Sequence, residues 1–258
     1  MRIARFTTGE DDPAFGLVDG AGEKIAGITG DALYQRIELT GRTDAVEDVR
    51  LLAPLIPRSK VLGIGKNYHD HAAEMGGEAP AEPLMFLIPN TAVVGPGDPV
   101  VMPPQSHNVH YEGELAVVIG RMCKDVDPED AASVIFGYTC ANDVTARDLQ
   151  RSDGQWSRAK GFDTFCPLGP WIETDLDPAA QHVITRLDGE VVQDGSTADM
   201  VHGVAALIAH ASAAFTLLPG DVILTGTPAG VGPVQPGQRV EVDISDIGTL
   251  VNPFLRRD

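Results

Sequence analysis

Three carboxylates stand out for where they fall. In "HNVHYEGELAVVIG", Glu112 and Glu114 are separated by one residue inside a run that otherwise reads as a buried β-strand. In "FGYTCANDVTARDLQ", Asp143 closes an apolar and aromatic run at its polar end. Alternate side chains of an extended chain share a face, so His110, Glu112 and Glu114 point together, followed by Ala116 and Val118. Tyr111, Leu115, Val117 and Ile119 point the other way. Two unpaired carboxylates at the edge of a core are costly. A hard cation held by oxygen ligands would neutralise them, and a third acid would complete the set. The alternation fits a strand with one solvated face as well, and Asp143 fits an ordinary turn cap. An all-carboxylate set with water in the remaining positions suits Mg²⁺, with Mn²⁺ or Ca²⁺ as alternatives, and not zinc.

The elements that must position these acids are mostly strands. Glycine and proline, 28 and 19 of the 258 residues, punctuate short apolar runs, the signature of a β-rich fold with many turns. "GPGDPVVMPP", "LPGDVILTG" and "QPGQRVEVDI" each set Pro-Gly before a β-branched run, at irregular spacing that excludes a solenoid. Helical spacing is confined chiefly to "DPEDAASVIFGY" and "MVHGVAALIAHASAAFTLLPG". Residues 1–56 read as a small unit with a hairpin-like "FGLVDGAGEKIAGI", joined through the proline pair of "LLAPLIPRSK" to a motif-dense remainder, 57–258.

Composition excludes several classes. With 43% hydrophobic and 22% charged residues the chain reads as globular, and a formal charge of −18 repels polyanions, so nucleic acid is not an expected partner. No apolar run is long enough to cross a bilayer, and the start "MRIARFTTGEDD" lacks an apolar signal core, so the expectation is a cytoplasmic protein without a membrane partner. Cys123, Cys140 and Cys166 are odd in number and lack a C-x-x-C spacing, which fits reduced thiols and no zinc ribbon.

The strings "LGIGKNYHDHAAEM", "EPLMFLIPNTAVVGPGD", "HYEGELAVVIG", "CANDVTARDLQ", "AKGFDTFCPLGP" and "ILTGTPAGVGPV", in this order over roughly residues 58 to 253, resemble the fumarylacetoacetate hydrolase family. That family includes acylpyruvate hydrolases, oxaloacetate decarboxylases and 2-hydroxyhepta-2,4-diene-1,7-dioate isomerases of aromatic catabolism. The resemblance implies an α+β, β-rich fold with a mixed β-roll and a small N-terminal domain, a divalent metal, usually Mg²⁺, and a homodimer. It implies that Glu112, Glu114 and Asp143 are metal ligands, that His71 and Glu74 are a catalytic pair, and that Lys160 is catalytic. Arg147, Gln150 and Thr227 match positions that hold the carboxylate and oxo group of a small anionic 2-oxo acid. Taken alone, His71 reads as a structural histidine, Lys160 and Arg147 as solvated surface charges, and "TGTPAGVG" as a glycine-rich turn. Neither that string nor Gly63 and Gly65 is a nucleotide loop, because the Gly-Lys-Ser/Thr ending is missing from the first and Tyr68 stands where a third glycine would be.

One departure from the family pattern is Ile88 in "FLIP", where a lysine is usual. The change removes a positive charge, for which Lys66, Arg151 or Arg158 would have to compensate. The chemistry implied is cleavage of a carbon–carbon bond in a 2-oxo acid through a metal-stabilised enolate. An imidazole oriented by a carboxylate can activate water, so the complete pair favours acylpyruvate hydrolysis or oxaloacetate-type decarboxylation over isomerisation alone. The remaining alternative is an inactive metal-binding protein, which the Ile88 change favours and the intact residue set opposes.

Overall fold

The computed structural model describes residues 1–9 and 12–256. Its strands in chain order are β1 (Arg2–Thr7), β2 (Ala14–Val18), β3 (Lys24–Ile28), β4 (Leu39–Ala45), β5 (Arg50–Leu52), β6 (Val61–Gly65), β7 (Leu84–Ile88), β8 (Val93–Val94), β9 (Val100–Met102), β10 (Val109–His110), β11 (Gly113–Ile119), β12 (Ile135–Asn142), β13 (Thr145–Ala146), β14 (Cys166–Glu173), β15 (His182–Leu187), β16 (Glu190–Ser196), β17 (Val222–Leu224), β18 (Arg239–Ile244) and β19 (Gly248–Arg256). The helices are α1 (His69–Glu74), α2 (Arg147–Asp153), α3 (Ser157–Lys160) and α4 (Val204–Ala214). The mixed, β-rich α+β architecture expected from the sequence is the one found.

The main sheet runs β4-β3-β2-β1-β14-β12-β11-β17-β6-β7, with β5 beside β1 and β8 beside β14. Most neighbours are antiparallel, while β17·β6 and β14·β8 are parallel. A second sheet, β16-β15-β18-β19-β9, packs against it. The N-terminal hairpins extend the main sheet, since β1 pairs with β14 at Arg2↔Glu173 and Ile3↔Ile172.

All seven residues of strand β11 are buried. Leu115, Val117 and Ile119 face one apolar cluster, with Tyr138, Val183 and Val242, and Ala116 and Val118 face a second, with Val61, Leu168 and Leu224. Covering both faces explains the unbroken apolar run, and it excludes the half-solvated strand that the alternation allowed. Each buried Val, Leu or Ile here contributes roughly 1.5–3 kcal/mol, which offsets the cost of taking a charged residue into the same strand.

Two expectations about elements are corrected. The strand through "HNVHYEGELAVVIG" is interrupted at Tyr111 and Glu112: β10 pairs with β13, and β11 begins at Gly113. At the break the Asn142 side chain accepts the Glu112 N–H at 2.9 Å in place of a backbone partner. The helix expected over "DPEDAASVIFGY" is a 3₁₀ stretch, Pro128–Val134, after which "IFGY" joins β12. Pairing of β12 with both β11 and β14 overrides the local helical spacing. The second expected helix is present as α4, burying Leu207, Ile208 and Ala211.

Candidate active site

Glu114 lies on β11, Glu112 in the break before it, and Asp143 just past the end of β12, whose antiparallel pairing sets Gly113 opposite Asn142. The backbone closes the corner, as the Asp143 N–H donates to the Glu112 carbonyl at 2.9 Å. One carboxylate oxygen from each of the three acids falls within 4.8 Å of the others. Glu112, Glu114 and Asp143 are only 4%, 1% and 1% exposed.

Two cations are folded into this cluster. Arg147, at the start of α2, bonds Oε1 of Glu112 through one Nη and Oε1 of Gln150, at 3.0 Å, through the other. Lys160, at the end of α3, donates to Oε2 of Glu112 at 2.8 Å, to Oδ2 of Asp143 at 2.7 Å and to the Thr145 hydroxyl at 2.8 Å. All three ammonium hydrogens are thereby engaged. Burial works against charge on Glu112, but Arg147 and Lys160 outweigh it and bring its pKa down to about 2. Burial pushes Glu114 well above the usual carboxylate range, helped by the charges of Asp143 and Glu112. Burial likewise raises Asp143, to about 6, against the pull of Lys160. For Lys160 burial is overcome by Asp143 and Glu112, so its pKa stands above the ordinary lysine value.

This environment fits a divalent cation. Three acids against two cations leave a formal charge of −1 in a buried space, and Oδ1 of Asp143 is buried without any hydrogen bond. A hard cation would take that oxygen and remove the repulsion that raises Glu114. Glu112, Glu114 and Asp143 would hold it.

The cluster opens onto a cavity of about 400 Å³. His71 and Glu74, both on α1, line it, and His71 Nδ1 lies 3.2 Å from Glu74 Oε2. With Nδ1 so engaged, Nε2 is the nitrogen left for a ligand. Glu74 is also anchored to the Gly230 N–H at 3.2 Å. The wall between these groups is the loop after β17. There the Thr225 hydroxyl donates to the Leu115 carbonyl, and the Thr227 hydroxyl to the Gly113 carbonyl, each at 2.8 Å. Between them the Gly226 N–H donates to Oε2 of Glu114 at 2.7 Å. Gly226 has φ +98°, and a Cβ there would fall 2.7 Å from Asn67 Cβ, so the position requires glycine.

The structure brings the three acids, His71, Glu74, Lys160, Arg147, Gln150 and Thr227 to this one locality. It also alters what Thr227 can do. The Thr227 hydroxyl hydrogen is committed to Gly113, and its oxygen accepts from Gln193 Nε2 at 2.8 Å. Gln193, 1% exposed on β16 of the second sheet, also donates to the Pro228 carbonyl and accepts the Gly113 N–H. Nothing in the local sequence marks Gln193. Trp156 also lines the cavity, and a Cβ on Gly65 would meet its ring at 2.4 Å, which accounts for that glycine without a nucleotide.

Ile88 is 2% exposed and packs in the second apolar cluster with Val61 and Ala92, away from the cavity lining. Of the three cations weighed as its replacement, Lys66 and Arg151 line the cavity, and Arg158 pairs with Asp153 at 2.5 Å.

Residues 60–255 match the model of the fumarylacetoacetate (FAA) hydrolase C-terminal family, and residues 1–54 match an Rv2993c-like N-terminal model. Protein Rv2993c of Mycobacterium tuberculosis is 52% identical over 100% of this chain and 99% of its own length. The mitochondrial oxaloacetate tautomerase FAHD2A of Homo sapiens is 42% identical over 91% of this chain and 77% of its own. A solved 2-hydroxyhepta-2,4-diene-1,7-dioate isomerase from Mycobacterium marinum superposes with TM-score 0.91 at 49% identity, covering 100% of this chain and 99% of that one. A maleylpyruvate hydrolase from Sphingobium sp. SYK-6, solved with manganese (II) and pyruvate, gives TM-score 0.82 at 33% identity, with both chains covered to 100%.

Proposed function

The chain belongs to the fumarylacetoacetate hydrolase family, and from that premise we propose that it is a divalent-metal-dependent enzyme that transfers a proton at the carbon next to the oxo group of a small 2-oxo acid. The observation that carries the reading is the His71–Glu74 pair lining the same cavity as the three-carboxylate cluster. Mg²⁺ is the expected ion, and the manganese found in the maleylpyruvate hydrolase structure makes Mn²⁺ a suitable probe.

A bound cation supplies an electrophile for the oxygens of a 2-oxo acid and so favours charge on the oxo group. The residues supply the rest. His71 takes the proton from carbon on Nε2, and Glu74, accepting from Nδ1–H, stabilises the imidazolium that forms. Return of the proton to oxygen completes a tautomerisation. Arg147 and Gln150 orient the substrate carboxylate, since Gln150 accepts from Arg147 through its carbonyl and keeps its NH₂ for a ligand. Lys160, with its donors engaged, holds Glu112 and Asp143 and limits their repulsion. Thr227 shapes the wall beside them.

This moves the weight from carbon–carbon cleavage toward proton transfer, in line with the names of the relatives at 42% and 49% identity. Hydrolysis of an acylpyruvate is the second reading, favoured by the 34% exposure of the Glu74 side chain, which lets the pair meet water. The test follows the ultraviolet absorbance of enol-oxaloacetate with Mg²⁺ present. Accelerated conversion to the keto form, lost on chelation and in His71→Ala, supports the reading. Conversion no faster than with Mg²⁺ alone rejects it.

A further inference from the structure

Gln193 lies on β16 of the second sheet, buried and outside the cavity lining, yet its amide makes three hydrogen bonds to the framework of the site. Its Oε1 accepts the Gly113 N–H at 3.0 Å, and its Nε2 donates at 2.8 Å both to the Thr227 hydroxyl and to the Pro228 carbonyl. The Thr227 hydroxyl gives its own hydrogen to the Gly113 carbonyl at 2.8 Å, which closes a ring. That ring takes in both backbone groups of the residue between Glu112 and Glu114. Only one amide orientation fits, because exchanging Oε1 and Nε2 would set a donor against the Gly113 N–H and an acceptor against the Pro228 carbonyl. An apolar side chain of similar size would leave these two backbone groups unmatched.

The turn that Gln193 grips joins the two halves of the site. At its start the Gly226 N–H donates to Oε2 of Glu114 at 2.7 Å, and at its end the Gly230 N–H donates to Oε1 of Glu74 at 3.2 Å. Thr227 and Pro228 stand between these contacts. The Gly230 carbonyl accepts the hydroxyl of Tyr111, the neighbour of Glu112, at 2.9 Å. The turn is also pressed against β16, since a Cβ on Gly195 would fall 2.5 Å from Pro228 Cβ. A shift of this one turn therefore moves a cation ligand and the partner of His71 together.

We infer that Gln193 is a positioning residue, which fixes the cation site and the His71–Glu74 pair relative to each other by locking the Gly226–Gly230 turn to Gly113. The inference rests on the proposed proton-transfer reading and adds the residue that sets the spacing of its two halves. Gln193 acts through Gly113, Thr227 and Pro228. Partners that orient metal ligands in this way typically govern metal affinity or activity by roughly 10–100-fold.

The test compares Gln193→Met with Gln181→Met. Gln181 is equally buried, immediately before β15, but spends its amide on the Asp177 carbonyl and the Ser245 hydroxyl. Both variants lose a buried amide, and only Gln193→Met loses a link to the acids. Calorimetric titration of Mn²⁺ into the chelated proteins should show affinity about 10–100-fold weaker in Gln193→Met and unchanged in Gln181→Met. Unchanged affinity in Gln193→Met, or an equal loss in both, overturns the inference. At saturating Mg²⁺, turnover of enol-oxaloacetate by Gln193→Met should show kcat lower by about tenfold or more with KM little changed, because a misplaced base costs rate and not binding. A kcat fully restored by saturating metal severs the link to His71–Glu74 and overturns the inference. Wild type that binds Mn²⁺ without turnover rejects the proton transfer instead, and the Mn²⁺ comparison then decides the role of Gln193. Should Gln193→Met fail to fold, wild type supplies the answer: Mg²⁺ should slow amide hydrogen exchange in residues 192–195 together with 226–230. Slowing confined to 226–230 overturns the inference.

Discussion

Lys160 Nζ stands 2.7 Å from Oδ2 of Asp143, while Oδ1 of the same carboxylate is buried with no hydrogen bond. One oxygen is thus neutralised and its twin is left buried without a partner, in the cluster with Glu112 and Glu114. This half-satisfied carboxylate is the feature a cation would complete.

Removing Glu114 should therefore remove the cation. Glu114→Ala is expected to abolish Mn²⁺ binding by calorimetry while leaving the fold, as judged by circular dichroism. Unchanged Mn²⁺ affinity would exclude these acids as ligands. In wild type, metal at one hundred times its Kd should add about 2.7 kcal/mol of stability, read as a raised Tm that EDTA reverses.

The chelated protein should lose stability as pH rises. Asp143 has its folded pKa raised to about 6, by burial first, from an ordinary 3.8. Between those values the folded state binds more protons than the unfolded one, so this carboxylate makes stability fall as pH rises through the window. Glu114, raised by burial and by the charges of Asp143 and Glu112, acts in the same direction, from its ordinary 4.5 upward. Glu112, brought down to about 2, acts oppositely, and its contribution is lost only as pH falls below 4.5. A bound cation keeps all three ionised. The gain in Tm on adding Mg²⁺ should thus be larger at pH 7 than at pH 5, and an equal gain at both would contradict the assignment.

Loss of Lys160 should be felt in stability before chemistry. Its ammonium is 2% exposed and saturated by Glu112, Asp143 and Thr145. Lys160→Met leaves two buried carboxylates short of a partner, at a cost of about 3–5 kcal/mol. Urea unfolding of the metal-free protein measures it. Added Mg²⁺ should recover part of the loss, and a variant as stable as wild type without metal would remove the bracing role.

Hydrolysis, if present, should depend on the same base. His71→Ala is expected to reduce acylpyruvate hydrolysis by roughly 10²–10⁴-fold, the range for a positioned general base. Oxaloacetate decarboxylation should fall much less, because it needs no attacking water. Equal losses in kcat/KM on the two substrates would make His71 a residue that shapes the cavity.

What the sequence discloses and what it hides divide along sequence distance. Glu112, Glu114 and Asp143 were legible because period-two alternation and a strand end are local patterns, and their convergence needed only the pairing of two neighbouring strands. The break at Tyr111 and Glu112 was not legible, since the group that accepts the Glu112 N–H there is the Asn142 side chain, 30 residues away. The strand over "IFGY" carries a helical pattern locally, and its strand partners, β11 and β14, lie on either side of it in space. Gln193 was invisible for the same reason: it reaches Thr227 and Gly113 from the second sheet, with sequence separations of 34 and 80 residues. Lys160 and Arg147, taken alone, looked like surface charges, and only the fold shows them 2% exposed against acids. Ile88 drew attention as a missing charge, yet its side chain belongs to the core behind the sheet.

The most direct measurement of the central claim is deuterium uptake at the carbon beside the oxo group. Pyruvate or 2-oxobutanoate in D₂O is followed by proton NMR with wild type, His71→Ala and EDTA-treated protein. The account predicts metal-dependent exchange by wild type, abolished by EDTA and reduced on the order of 10²–10⁴-fold in His71→Ala. Wild-type exchange no faster than that of Mg²⁺ in buffer, or exchange unaffected by both EDTA and the His71 substitution, would contradict it.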